Sequence, residues 1–579
     1  MGGFQIKVQP KQYDVVIVGS GAGGGMAAYT LAHAGLSVAL LEAGPAYDPA
    51  KNITQLKWPW ESPRRGASTK YRPLGDFDAC YWGWDIDGEP YTKAEGTQWD
   101  WWRARMVGGR TNHWGRISLR FGPKDFKRRS IDGLGDDWPI SYDDVKPYYD
   151  RIDQMIGVFG TNEGLENDPD GYFLPPPKPR LHELFIKNAA TRAGVRVIPS
   201  RLSILTKKIN NERGACFFCG QCNRGCQVYG DFSASSVLVN PALATGKVDL
   251  YTGAMAREVL TNKEGLATGV SYIDKHDNQE YQVKGRTVVL AASACESARL
   301  LLNSKSSRHS NGLANASGVV GKYLHDSTGA SVGGVLPDLF DRKRYNEDGV
   351  GGMHVYSPWW LDNKKLDFPR GYHIEYWGGM GMPAYGFGWG IENLNGKYLV
   401  KGKQKEAGGY GASLKEDYRY FYGAAVGMAG RGEAIARADN LCEIDPDVVD
   451  QYGIPVLRFN VKWSDYEINQ AKHMKETFKE IMHNMGAVVT WGGNDGPENN
   501  YGLEPPGKII HEAGTVRMGS DPRSSALNGW NQAHDCKNLF VVDGGAFVSQ
   551  ADKNITWTIL ALSMRASEYL VGEMKKNNI

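Results

Sequence analysis

Five short runs of this 579-residue chain carry side chains suited to redox or proton chemistry. Cys216, Cys219, Cys222 and Cys226 crowd four thiols into eleven residues. The Cys-x2-Cys-x2-Cys-x3-Cys spacing is that of a bacterial ferredoxin run, which gathers thiolates around several iron atoms; Gln227 stands where such runs carry proline. Three local ligands suit a 3Fe-4S cluster and four a 4Fe-4S cluster, while zinc and an empty loop of free thiols are the competing readings. Gly19, Gly21 and Gly24 satisfy G-x-G-x-x-G, in which the first glycine turns the chain, the second admits pyrophosphate to the backbone, and the third lets helix and strand pack. With 72 glycines in the chain, spacing alone is weak evidence. Glu42, about 20 residues further on, sits where a carboxylate accepts from adenosine ribose hydroxyls. The fingerprint does not separate FAD from NAD. The remaining runs are Met106–Trp114, with Gly108, Gly109, Asn112 and His113; His511–Gly519; and Asp552–Thr558, with Asn554 and Thr556.

The elements that must position these residues are legible in outline. Tyr13–Val18 reads as a buried strand, Met26–Ala34 as a helix and Ser37–Glu42 as a second buried strand, a βαβ unit around the glycine turn. Thr287–Leu290 and Asn538–Asp543 read as further strands of that sheet. Helices are predicted after them over Ala294–Asn303 and Thr556–Lys575, the latter with Ile559, Leu562, Ala566 and Leu570 at helical spacing. Between them, residues 331–504 are rich in aromatics and glycine, as in Tyr356-Ser357-Pro358-Trp359-Trp360, Tyr376-Trp377 and Tyr385-Gly386-Phe387-Gly388-Trp389. This stretch reads as a mixed α+β domain covering the active site.

Composition excludes some partners. Lys and Arg number 67 against 65 Asp and Glu, a formal charge of +2, so neither nucleic acid nor an anionic membrane is indicated. No apolar run reaches the ~18 to 20 residues of a membrane span, and MGGFQIKVQPKQYD lacks the apolar core of a signal peptide. The expectation is a soluble chain that is not an integral membrane protein. Cys80, Cys295, Cys442 and Cys536 are scattered, so the eight cysteines are no disulfide framework.

Taken in chain order, the glycine fingerprint, Met106–Trp114, His511–Gly519, Asn538–Asp543 and Asp552–Thr558 resemble the glucose-methanol-choline (GMC) oxidoreductase family over essentially the whole chain. The resemblance implies FAD and an α/β fold. Its Rossmann-like FAD-binding domain would be discontinuous (1–60, 230–330 and 505–579), with an intervening flavin-covering and Cys-rich segment (61–229) and a substrate-binding domain (331–504). It places His511 and Asn554 at the reacting alcohol, and Asp543 at the ribityl or phosphate region. It runs Gly108, Gly109, Asn112 and His113 past the flavin ring, where His113 either packs or attaches FAD covalently; Asn112 replaces the threonine of covalently flavinylated members. The chemistry suits the pair: a neutral imidazole takes the hydroxyl proton as hydride leaves, and an amide orients the same oxygen. Asn554 is also expected to cap the final helix, whose N-terminus at Thr556 would face the flavin.

The cysteine run resembles that of the bacterial FAD sugar dehydrogenases, glucoside 3-dehydrogenase among them. That subgroup implies a sugar or glycoside substrate and an iron-sulfur cluster passing electrons singly to cytochrome c or quinone. It also implies a small companion subunit, with export of the folded pair to the periplasm; a cytoplasmic location is compatible with every residue named. The rivals are an oxygen-using sugar oxidase with an empty cysteine loop, and a flavin-binding electron-transfer subunit without alcohol chemistry. Sugar C–H faces stack on Trp and Tyr, which fits the aromatic middle stretch.

Overall fold

The structure is a computed structural model that describes residues 6–52, 56–61, 65, 67, 80–343, 347, 349–358, 366–380, 396–400, 403–407 and 411–579. Its N-terminal unit is the expected βαβ: strand Lys7–Val18, helix Ala22–His33, strand Val38–Glu42. Val15 to Val18 are all buried, as a central parallel strand covered on both faces requires. Val15 and Ile17 join a core with Ala27, Ala28, Leu31 and Leu570, while Val16 and Val18 enter the other with Val288 and Leu290.

These strands belong to a sheet of seven described strands. Its parallel centre runs Val248–Thr252, Val38–Glu42, Lys7–Val18, Gln279–Leu290, Leu539–Val541, and two antiparallel strands, Ala267–Asp274 and Ala254–Thr261, extend the start of Gln279–Leu290. The predicted helices Ala294–Asn303 and Thr556–Lys575 are present with those bounds. The latter lies on the first helix, where Ser563 Oγ donates to Gly23 O at 2.7 Å.

A second sheet is antiparallel, in the order Val488–Trp491, Ser331–Val335, Ala425–Gly432, Tyr372–Gly378, Val355–Ser357, Ile198–Pro199. Period-two alternation divides its residues. Tyr372, Ile374 and Tyr376 pack with Met474, Phe478, Ile481 and Met482 of the helix Asp465–Met485. His373 and Glu375 therefore point the other way, towards the first domain's loops. That helix starts where Ser464 N donates to Glu467 Oε2 at 2.7 Å and stops at Gly486, whose φ of 72° only glycine adopts freely. Among the described residues no helix is long and apolar enough to cross a membrane.

Candidate active site

A cavity of about 660 Å³ opens against the first sheet. Remote stretches line it: Val18–Gly23, Leu41–Ala43, Ala291–Ala294, Lys508–Glu512, Asp543 and Asn554–Thr556, with Gly109, Thr111, His113 and Trp114 between them. The three glycines differ in their surroundings. Gly19 has φ 93° and Gly21 leaves open space, since a Cβ there would meet nothing within 4 Å; Gly24 lies off the cavity, where a Cβ would strike Gly19 O at 1.8 Å. The helix start beside Gly21 carries no side-chain cap, which leaves its first N–H groups open to an anion.

Glu42 is buried at the cavity wall and accepts from Ser20 N at 3.2 Å, Gly44 N at 2.9 Å and Ser20 Oγ; burial pushes its carboxyl above the usual range. Asp543 accepts from Gly545 N at 2.8 Å, Ser293 N at 3.2 Å and Ser297 Oγ, and burial raises it to about 6. An open glycine turn, an uncapped helix start and two buried carboxylates along one cavity fit the expected dinucleotide.

Gly108 N donates to Ser20 Oγ at 3.0 Å, locking the second glycine stretch onto the first. Asn112 is not at the cavity. Its Nδ2 donates to Val107 O and Gly109 O at 2.8 and 3.1 Å and its Oδ1 accepts from Ser235 Oγ at 2.7 Å, so the side chain is spent on holding the 3-10 turn Gly109–Asn112. His113 does line the cavity. Its Nε2 accepts from Trp102 Nε1 at 3.0 Å, its Nδ1 has no hydrogen-bond partner among the described residues, and burial lowers it to about 3, leaving the ring neutral.

His511 and Asn554, 43 residues apart, meet at the cavity wall with Nε2 and Nδ2 3.2 Å apart. The surrounding network fixes their orientation. Asn554 Nδ2 also lies 3.3 Å from Glu375 Oε1, so the amide nitrogen, with its two hydrogens, belongs between the two acceptors. His511 Nε2 is then unprotonated, and Nδ1–H donates to Ser327 Oγ at 3.1 Å, an oxygen that also accepts from Gln550. Burial, then Arg431, lower His511 to about 3. The ring stands as a neutral base. Asp326 holds the loop by accepting from Ile509 N at 3.1 Å and His511 N at 2.8 Å. Between them Ile510 has φ 66°, a strained conformation for a β-branched residue, set beside the reacting imidazole.

The expected cap is not made. Ile555 is the N-cap of the final helix, without a side-chain cap, because the Asn554 amide is drawn to His511 and Glu375. Thr556 lines the cavity at the first helical position, so the helix start faces it as predicted.

Sequence reasoning missed a charged cluster on the second sheet that adjoins the cavity through Asn554. His373 pairs across the second sheet with Arg431, and Glu375 lies two residues on, which puts all three on one face. Glu375 Oε2 is 3.0 Å from Arg431 Nη2 and its Oε1 is 3.3 Å from His373 Nε2; His373 Nδ1 donates to Asp552 O at 2.6 Å. Despite burial, Arg431 and His373 hold Glu375 at about 2. Polar His and Glu at period two within Tyr-His-Ile-Glu-Tyr were the available signal.

The aromatics of the middle stretch do not supply a wall. Tyr356 and Tyr376 are buried, bonded to Asp168 and Ser357, and Trp377 stacks on Trp491. Strand alternation turns Tyr376 to the helix, while Tyr356, opposite Glu375, and Trp377, two residues on, share the Glu375 face but are spent on Asp168 and Trp491, and none of the three lines the cavity. Trp359, Trp360, Tyr385, Phe387 and Trp389 lie outside the described residues. The rings on the cavity are Trp84, Trp102 and Trp114, from the preceding segment.

Cys216, Cys219, Cys222 and Cys226 share one loop. Backbone N–H groups of Phe218, Gly351 and Gly230 reach the sulfurs of Cys216, Cys222 and Cys226 at 3.3, 3.4 and 3.2 Å. Burial pushes Cys216 up to about 12 and Cys226 to about 11, and raises Cys222 well above the ordinary thiol value. Arg116 ties the loop to the cavity-lining Trp114, donating to Trp114 O, to Asn112 O at 3.1 Å and to Cys222 O at 2.9 Å and pairing with Asp231 at 2.9 Å. Among the described residues no three His, Cys, Asp or Glu side chains are arranged to hold one metal ion.

Comparison with known proteins agrees with this geometry. Models of the GMC oxidoreductase N- and C-terminal regions match residues 14–328 and 438–563. The chain is 30% identical to the 2-methyl-1,2-propanediol dehydrogenase of Mycolicibacterium austroafricanum, over 96% of this chain and 95% of that one. It is 26% identical to the fructose dehydrogenase large subunit of Gluconobacter japonicus, over 97% and 98%. The crystal structure of pyridoxine 4-oxidase from Mesorbium loti superposes with a TM-score of 0.59 at 17% identity, covering 96% of this chain and 98% of that one, and shares the fold. The chain belongs to the GMC oxidoreductase family and is an FAD-dependent oxidoreductase acting on CH–OH donors.

Proposed function

We propose that the enzyme is a dehydrogenase that oxidises a ring hydroxyl of a sugar or glycoside, with C3 the first position to test. One observation carries the reading: His511 Nε2, unprotonated and neutral, lies 3.2 Å from Asn554 Nδ2 on the wall of the cavity that the glycine turn opens into. FAD, when bound there, supplies the hydride acceptor. The alcohol would displace the Asn554 N–H from His511 Nε2, give its proton to that lone pair and accept the released Asn554 N–H on the same oxygen, while Ser327 with Gln550 keeps the imidazole in the required tautomer. The names of the relatives, a propanediol dehydrogenase and a fructose dehydrogenase, support a polyhydroxylated substrate. Replacing His511 with Ala is expected to leave FAD bound and to slow anaerobic flavin reduction by at least about 100-fold, the lower range for a lost general base; undiminished reduction refutes the assignment.

On the cysteine spacing we also propose that the loop takes an iron-sulfur cluster, 3Fe-4S or 4Fe-4S, and that electrons go to an external acceptor such as cytochrome c or quinone. The Arg116 link between loop and cavity supports this. Iron analysis and electron paramagnetic resonance of purified protein test the cluster, and zinc or metal-free protein rejects it. Reoxidation of substrate-reduced enzyme as fast by oxygen as by a one-electron acceptor rejects the dehydrogenase reading in favour of an oxidase. The word "subunit" in one relative's name supports a small companion subunit, and with it periplasmic export of the pair; co-purification and cell fractionation test both.

A further inference from the structure

We propose that Glu375 and Arg431 form a subsite for the hydroxyl next to the reacting one, so that the enzyme selects neutral vicinal diols. The inference rests on the reading that His511 and Asn554 face the alcohol. The hydride chemistry needs only that pair. Beside it the second sheet sets a half-buried ion pair, Glu375 Oε2 to Arg431 Nη2 at 3.0 Å, with Glu375 Oε1 3.3 Å from Asn554 Nδ2. Taking two charges out of water is costly, so the pair calls for an explanation beyond stability.

Neither charge is fully enclosed: the Glu375 side chain is 15% exposed and that of Arg431 21%. Both face away from the helix-covered core, on the side of Asp552 and Asn554. Asn554 Oδ1, buried at the same point, has no hydrogen-bond partner among the described residues. Next to Asn554, which lines the cavity, this partly exposed cluster thus offers acceptors on Glu375 and Asn554 Oδ1 and a donor on Arg431. A second hydroxyl on the adjacent carbon can give its proton to an acceptor and take a hydrogen bond from the guanidinium.

Charge decides between ligand classes. Arg431 neutralises Glu375, which leaves no free carboxylate for a quaternary ammonium or amine. Glu375 in turn neutralises Arg431, which leaves no free cation for a carboxylate substrate. A neutral diol satisfies both partners without separating them. A lone alcohol leaves the polar wall unmatched, and sites built to bond a hydroxyl reject analogues that lack it far more strongly than apolar pockets reject a missing methylene.

The test uses the flavin-loaded full chain, with anaerobic flavin reduction by propane-1,2-diol and by propan-1-ol. The diol is expected to exceed the mono-alcohol in kcat/KM by at least about 100-fold, and Glu375→Gln to lower the diol's value at least about tenfold more than the mono-alcohol's. Equal losses for both, or a wild-type preference for the mono-alcohol, choline or a 2-hydroxy acid, overturn the proposal. Arg431→Lys, which keeps the charge but not the fork, serves where Glu375→Gln loses FAD, and is expected to erode the same ratio. Turnover-independent evidence comes from titrating oxidised enzyme with 2,3-dimethylbutane-2,3-diol, a diol with no carbinol hydrogen, against tert-butanol, followed by flavin absorbance. Tighter binding of the diol, weakened in either variant, supports the subsite, and equal binding rejects it. If no alcohol reduces the wild-type flavin, the proposed function fails, and this titration alone decides the subsite.

Discussion

Burial and Arg431 hold His511 neutral down to about 3, whereas Asp326, which accepts the backbone N–H groups of Ile509, His511 and Ser327, is pushed up to about 7 by burial and by Glu512. The group that titrates near neutrality is therefore the loop's anchor and not its base. As pH falls through about 7, the Asp326 carboxylate gains a proton and its grip on the His511 N–H weakens, while the imidazole keeps its lone pair. The kcat/KM profile is expected to lose activity below about 7, and Asp326→Asn, which cannot titrate, to give a lower but flat profile over roughly pH 5 to 8. A limb near 6.5, the ordinary imidazole value, that survives in Asp326→Asn would return the titration to His511.

The loop that ends in Asn554 is held by a buried ionic cluster. Lys553, 3% exposed, lies 3.1 Å from Asp125 Oδ2 and against Asp552 Oδ1; Arg128 joins Asp125 to Glu433, and Arg370 joins Glu433 to Asp132. Glu433 follows the Ala425–Gly432 strand of the second sheet, so the cluster fastens the Asn554 loop to the sheet that carries Glu375 and Arg431. Lys553→Met leaves two buried carboxylates short of their cation, and a loss of about 3 to 5 kcal/mol in unfolding free energy is expected by denaturant titration; an unchanged midpoint refutes the cluster's role. The Asp552-Lys553-Asn554 run was legible as a motif, but its two charged members have a purpose only in three dimensions. The glycine turn, the final strand and helix, and the His511 and Asn554 pair were legible because each is local pattern or an ordered motif. Glu375, His373 and Arg431 were not, because their meeting depends on an antiparallel pairing that joins residues 373 and 431. Asn554 was misjudged as a cap for a related reason: capping is inferred from the next few residues, and its partners lie 43 and 179 residues away.

On the scale of the whole molecule, the cavity is where remote parts of the chain are joined. The first sheet takes strands from residues 7–18, 38–42, 248–290 and 539–541, and the same stretches, extended by Lys508–Glu512, line the cavity. Such long-range parallel pairing carries a high loop-closure cost before its contacts form. A dinucleotide held along that wall would bridge these remote segments and bind only the folded arrangement, so its binding free energy would add to stability. Free FAD at 1,000 times its dissociation constant contributes about 4 kcal/mol. With an unfolding entropy of roughly 2 cal/mol/K per residue, a chain of 579 residues converts that into about 3 °C. Stripping the flavin is expected to lower the melting temperature by about that amount, and added FAD to restore it in proportion to the logarithm of its concentration. The same removal should expose the Lys508–Glu512 loop to proteolysis before the second sheet, whose core of Met474, Phe478, Ile481 and Met482 is built without any cavity residue. A flavin-free protein that melts and digests as the loaded one does would mean that the strands are held without the cofactor, and that the cavity's segments are joined by their own packing alone.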